Sequence, residues 1–266
     1  MLKRILLITS CFFISFASFA QGDDEEYELR ANEKHGYIID KKGNRIEGIV
    51  KLAGDDQSPW LNQKKVRFIA KEDIDPNKKR QKLKVLDTDD LKGYAAYDGE
   101  KLRQFETIKY TNTRESSRGG SGGLGGDIKA IRNIARKDHM AETIITGKIT
   151  VYKLYGMPTS VAIGNQQVKE MEDDLARIRS TPSILVSKNG GKIEELNSTD
   201  FKKFAEDCKV VRSKMLDGKY PSYNPEKEEK KRSKLGGLLK SEMELDGPKI
   251  QNMAQEIFTD YNANCG

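Results

Sequence analysis

Long apolar runs, histidine and cysteine are all scarce in this chain. Hydrophobic residues make up 36% of its 266 positions. That is leaner than an average globular protein, so a core must coexist with substantial loop segments. Beyond the first twenty residues no stretch approaches the roughly 18 apolar residues of a membrane-spanning helix, which excludes such a span from the remainder. His35 and His139 are the only histidines, and neither has a Cys or His partner at metal-ligand spacing, so no metal site is expected. A concentrated basic face is missing too. The 47 Lys and Arg and 41 Asp and Glu are mixed along the chain, which describes a solvated surface rather than a nucleic-acid footprint.

The one long apolar run lies at the start. Lys3 and Arg4 precede the run Ile5 to Phe16, and Ser18-Phe19-Ala20 stands before Gln21. This is the order of an export signal, so residues 1–20 are expected to be removed between Ala20 and Gln21. Ile8-Thr9-Ser10-Cys11 resembles a lipoprotein box, in which Cys11 would carry a lipid anchor. The apolar run continues through it into Phe12, Phe13 and Ile14, and its length fits cleavage after Ala20 better. Losing Lys3 and Arg4 takes the net charge from +6 to +4.

The mature chain then holds two cysteines, Cys208 and Cys265, in a compartment where disulfides persist. Neither histidine lies near them in sequence to act as the base that a thiol nucleophile needs. A structural bridge is the expected reading.

Residues 21–35 (QGDDEEYELRANEKH) are acidic and without apolar periodicity, a flexible arm. Residues 36–112 read as a β-rich domain. Tyr37-Ile38-Ile39, a turn at Asp40 to Asn44 with positive φ at Gly43 and Asn44, and Ile46 to Leu52 form a hairpin. Strand-like runs follow at Val66–Ile69, Leu83–Leu86, Gly93–Tyr97 and Leu102–Phe105, with Asp98-Gly99 turning the last two. Residues 113–126 are Gly- and Ser-rich, a linker or long loop.

Residues 127–266 read as an α+β domain. Ile128, Ile131, Ile134 and Ala135 mark a short helix ending near His139, and Val168, Met171, Leu175 and Ile178 a second. Two hairpins are expected, Thr143–Thr146 with Lys148–Tyr155 and Ile184–Ser187 with Lys192–Leu196. One helix should carry Phe201, Phe204, Ala205, Cys208, Val211 and Met215 on a single stripe as far as Gly218. Another should begin near Gly247-Pro248 and run past Tyr261 toward Cys265. The fold class is thus α+β: an antiparallel sheet or small open barrel, further hairpins, and a C-terminal pair of amphipathic helices joined through Cys208 and Cys265 around the charged segment 225–234.

Motifs for chemistry are thin. Gly120 to Gly125 matches a dinucleotide fingerprint, but that mechanism needs a buried strand immediately before it and Thr111–Arg118 is polar, so no cofactor is expected. Gly119 to Gly123 matches a nucleophile elbow, with only His139 downstream and no room for the sheet between. Asp87, Asp89 and Asp90 suggest a calcium loop, yet Lys92 stands where glycine is required, so a turn is the better reading. Trp60, Tyr94, Tyr97, Tyr152 and Tyr155 could line a glycan- or peptide-binding face, although half-buried strand positions use the same residues.

The pieces Gly36-Tyr37-Ile38-Ile39, Gly48-Ile49-Val50, Asp200-Phe201, Asp207-Cys208, Gly218-Lys219-Tyr220 and Tyr261 to Cys265, behind a leader ending Ala20-Gln21, resemble secreted proteins of Bacteroidetes bacteria with no assigned chemistry. The resemblance implies a periplasmic, outer-membrane-associated or extracellular location. The expected role is non-enzymatic, binding another envelope protein or a polysaccharide. The alternative is a secreted hydrolase with Asp or Glu carboxylates on loops of the β-rich part.

Overall fold

The computed structural model describes residues 27–111, 137–158, 165–197, 200–224 and 247–266. The leader with Cys11, Ala20 and Gln21, the start of the acidic arm, the Gly/Ser stretch, the helix expected at Ile128–Ala135 and the charged segment 225–234 lie outside the described residues.

Ten strands follow in chain order: β1 (Glu33–Asp40), β2 (Arg45–Lys51), β3 (Lys65–Ala70), β4 (Lys84–Asp87), β5 (Leu91–Asp98), β6 (Lys101–Lys109), β7 (Asp138–Ile145), β8 (Ile149–Leu154), β9 (Ser183–Lys188) and β10 (Glu194–Glu195). Helix α1 (Asn165–Ser180) lies between β8 and β9, and α2 (Phe201–Ala205), α3 (Lys209–Leu216) and α4 (Gly247–Cys265) close the chain. The strands form one open antiparallel sheet in the order β10-β9-β8-β7-β6-β5-β1-β2-β3-β4. The fold is α+β, with β10 and β4 at the two ends of the strand order. Strand β1 starts at Glu33, inside the stretch expected to be an arm.

Register fixes which side chains share a face, because alternate residues of a strand point to opposite sides. Ile38, Tyr94, Phe105, Glu142, Lys153 and Ile184 face one another in a row across β1, β5, β6, β7, β8 and β9. A parallel row of small residues, Ala70, Gly48, Gly36 and Ala96, crosses β3, β2, β1 and β5. A Cβ on Gly48 would sit 2.0 Å from the Ile69 carbonyl oxygen, and one on Gly36 would sit 2.1 Å from that of Ala95. Only glycine lets the backbones approach so closely. One core along this part of the sheet holds Ile38, Val50, Val66, Phe68, Leu86, Tyr94 and Phe105.

The first turn departs from expectation at one residue. Gly43 has φ +95°, but Asn44 is not among the positive-φ residues. Its side-chain amide and backbone N–H both donate to the Asp40 carboxylate instead, each at 2.8 Å. The turn at Gly99, φ +62°, is as expected.

A second core forms where α2, α3 and α4 pack on the other end of the sheet, joining Ile149, Val151, Ile184 and Val186 to Phe201, Phe204, Val211, Met215, Phe258 and Tyr261. The single helix expected over Phe201–Met215 is two helices. Cys208 is extended, with φ −98° and ψ 98°, so the chain turns between Ala205 and Lys209. The apolar spacing mimics one continuous stripe because both short helices aim their apolar sides at α4. Cys208 is bonded to Cys265, closing a separation of 57 residues.

Helix α4 also secures the β7–β8 turn. The Asn262 side chain accepts from the Ile149 N–H at 2.9 Å and donates to the carbonyls of Ile149 at 2.7 Å and Thr146 at 3.2 Å. Replacing it leaves those peptide groups without their partners. Asn262→Ala should lower stability by about 2 kcal/mol, read as a reduced urea midpoint at unchanged slope. An unchanged midpoint would show that the clasp adds nothing.

Candidate functional site: a basic and apolar groove beside the disulfide

The five aromatic residues singled out in the sequence are dispersed. Tyr94 is buried in the first core, stacked on Phe105 at 4.5 Å, and its hydroxyl donates to the Asn62 carbonyl at 2.8 Å. Tyr152 is buried in a separate cluster with Ile108, Ala141 and Leu185, and its hydroxyl donates to Glu106 at 2.9 Å. Burial, together with the Glu106 charge and that hydrogen bond, pushes the Tyr152 phenol well above its ordinary range. Trp60 is buried against Met157 and Ile178, and Tyr155 packs on the same cluster. Tyr97 is exposed. The structure thus brings together only Trp60 and Tyr155.

The 3-10 turn Pro59–Gln63 that carries Trp60 is held by peptide-mimicking side chains. Gln63 donates to the Tyr155 carbonyl and accepts from the Tyr155 N–H, and Asn62 makes the same two-way exchange with Gly54. These amides are buried, and their partners account for them.

His139 lies in β7 opposite Ile108, buried on the sheet, and not at a helix end as expected. The strand pattern of residues 138–145 outweighs the short apolar run before it. His35 is exposed on β1. Asp87, Asp89 and Asp90 form the β4–β5 turn: Asp89 N–H donates to the Asp87 carboxylate at 2.8 Å, and Asp87 N–H to that of Asp90 at 3.1 Å. Among the described residues no group of three or more His, Cys, Asp or Glu side chains could hold a metal ion. Nor is any described helix long and apolar enough to cross a membrane.

A cluster of three charges lies within the sheet where no sequence pattern disclosed it. Glu142 on β7 is buried between Arg103 on β6, at 2.9 Å, and Lys153 on β8, at 3.2 Å. Burial opposes its ionisation, but hydrogen bonds from and the charges of the two cations outweigh that and hold the Glu142 carboxyl below its ordinary range. Three coupled charges fixed in a sheet, with no second carboxylate among them, describe a structural ion cluster.

The groove lies on α2 and α3. Lys202, Lys203, Glu206, Arg212, Met215 and Leu216 line an open depression of about 370 Å³. Its shape follows from local sequence. Val211 and Met215 point into the core, which fixes the rotation of α3 and leaves Lys209, Val210, Arg212 and Leu216 outside. Val210 is 47% exposed and Leu216 65% exposed, on a helix of eight residues. Lys203 lies at the end of the salt bridge to Glu194 of β10, at 2.6 Å. That bond and the Glu194 charge raise the Lys203 ammonium above its ordinary range.

Of the three lining cations Lys203 is paired with Glu194, Glu206 is the lining carboxylate, and Leu216 is the exposed apolar side chain. That set lacks a nucleophile with a base. These residues form no motif in the sequence, and the one trace of the groove there is Leu216, which falls off the apolar stripe that the other C-terminal residues share. Comparisons with protein-family models, with curated proteins and with solved structures gave no match.

Proposed function

We propose that this chain is an exported, non-enzymatic protein of the cell envelope that binds another envelope component, a protein or a polysaccharide. The observation that carries the reading is the α2–α3 groove. It presents exposed Leu216 with Lys202, Lys203 and Arg212 next to a disulfide, on a helix anchored through Val211 and Met215. A depression lined by charged side chains around an exposed leucine is a surface that a partner can occupy. The leader at residues 1–20 and the bridged cysteines support the oxidising compartment. The resemblance to Bacteroidetes secreted proteins agrees with that address.

The test is sedimentation of the mature chain with isolated envelope fragments. Saturable co-sedimentation that weakens as salt is raised is expected, because exposed cations are screened. A chain that stays in the supernatant at every protein and salt concentration would overturn the reading. So would release of new reducing ends or peptide ends from the fragments, which would favour a hydrolase.

A further inference from the structure

At the β4 end of the strand order, opposite the β10 end that the groove borders, we infer that the loop leading into β4 is an anion-binding surface whose occupant is the chain's own acidic segment Asp23-Asp24-Glu25-Glu26. The loop supplies the cations. Lys79, Arg80, Lys82 and Lys84 are exposed and make no ion pair among the described residues, whereas Lys78 is already paired with Asp75 at 2.8 Å. The carboxylates of the same stretch do not balance them. Asp75 is taken by Lys78, Glu72 and Asp73 stand before it on a 3-10 turn, and Asp87 closes β4 opposite Lys65, where it accepts the Asp89 N–H.

The loop is shaped before anything binds. The Gln81 side chain accepts from the Asp75 N–H at 3.2 Å and donates to the carbonyls of Asp75 at 2.6 Å and Lys78 at 3.3 Å, while the Asp75 carboxylate accepts the Asn77 N–H at 3.1 Å. These bonds close residues 75–81 on themselves and leave Lys79 and Arg80 exposed.

The position of Tyr27 selects the occupant. Its hydroxyl donates to Glu33 at 3.0 Å and lies beside the Gln81 backbone N–H, in the middle of the basic run. Arg80 and Lys82 flank Gln81 directly, and Lys79 is one residue further. On the other side of the contact, residues 26 to 23 directly precede Tyr27, and four residues reach at most about 14 Å. Other charges near Tyr27 do not compete: Glu33 is engaged by Lys51 at 3.6 Å, and exposed Glu28 and Arg30 are one of each sign. A single exposed ion pair is weak, but a tether this short keeps four carboxylates beside four cations at an effective concentration on the order of millimolar. An anionic polymer gains the loop only by displacing them.

The test is zero-length carbodiimide coupling of the chain beginning at Gln21, which joins a carboxylate to an amine where the two touch, read by mass spectrometry of the peptides. Residues 23–26 should couple to Lys79, Lys82 or Lys84. The yield should fall about fivefold or more in 1 M salt, where the Debye length shrinks to about 3 Å. Coupling spread over other lysines, a yield indifferent to salt, or no such product while Glu194 couples to Lys203 in the same sample overturns the inference.

Retention on dextran sulfate gives a second readout. The variant D23N/D24N/E25Q/E26Q should elute at higher salt than the parent, and that rise should be at least about twice the rise the same four changes cause in a K79Q/R80Q/K82Q/K84Q background. The four loop side chains are exposed, so the background variant should keep the parent's melting temperature. An equal rise in both backgrounds would mean that the segment acts through net charge alone, and overturns the inference as well.

Discussion

Replacing both Cys208 and Cys265 by alanine should lower the unfolding free energy by about 4 kcal/mol, the largest single effect expected in this chain. The bond closes a loop of 57 residues, and in the chain-entropy model removing it returns that closure entropy to the unfolded ensemble. The bond ties the break between α2 and α3 to the last turn of α4. Phe201, Phe204 and Phe258, with ring centroids 5.2 and 6.1 Å apart on the two contacts to Phe258, depend on that docking. Alanine avoids placing a hydroxyl at fully buried Cys208. Urea unfolding of oxidised parent and alanine pair checks the value, and a difference under 1 kcal/mol would show that the helices dock without the bond.

Glu142→Gln should destabilise the fold by about 3 kcal/mol at neutral pH, because Arg103 and Lys153 stay mostly buried with their shared counter-charge gone. The effect is pH-dependent with a definite sign. The folded-state carboxyl lies below its ordinary value, so its stabilisation is complete above the unfolded pKa, near 4.3, and is lost as pH falls through the folded pKa. Parent and variant should therefore differ fully at pH 7 and converge in strong acid, measured by denaturant unfolding across that range. A gap that persists unchanged at low pH would mean that the lost stability is not electrostatic. Replacing all three charges, as R103M/E142L/K153M, should recover most of the loss, since an apolar set removes the desolvation cost together with the attraction.

Local pattern was legible both where one side of an element meets water and in short, wholly apolar strand runs bounded by turn residues. Gly93–Tyr97, Val66–Ile69 and Ile184–Ser187 lie in β5, β3 and β9, and the stripe Ile250 to Tyr261 is the buried side of α4. The bond between Cys208 and Cys265 followed from compartment and count. What sequence could not give is register across distance. Glu142 meets Arg103 from 39 residues away and Lys153 from the facing strand, and no periodicity links the three. The break at Cys208 was hidden because Phe201, Phe204, Val211 and Met215 keep helical spacing through it. His139 was misplaced because a strand of mixed polarity follows an apolar run. The groove was half visible: Leu216 off the stripe marked an outward apolar side chain, but only the packing of Val211 and Met215 sets Arg212 beside it.

The proposed export into oxidising surroundings is tested in one measurement, intact-mass analysis of the native protein after alkylation without reductant. A chain beginning at Gln21, with Cys208 and Cys265 unlabelled, is the predicted result. A chain still beginning at Met1, with every cysteine alkylated, would contradict it.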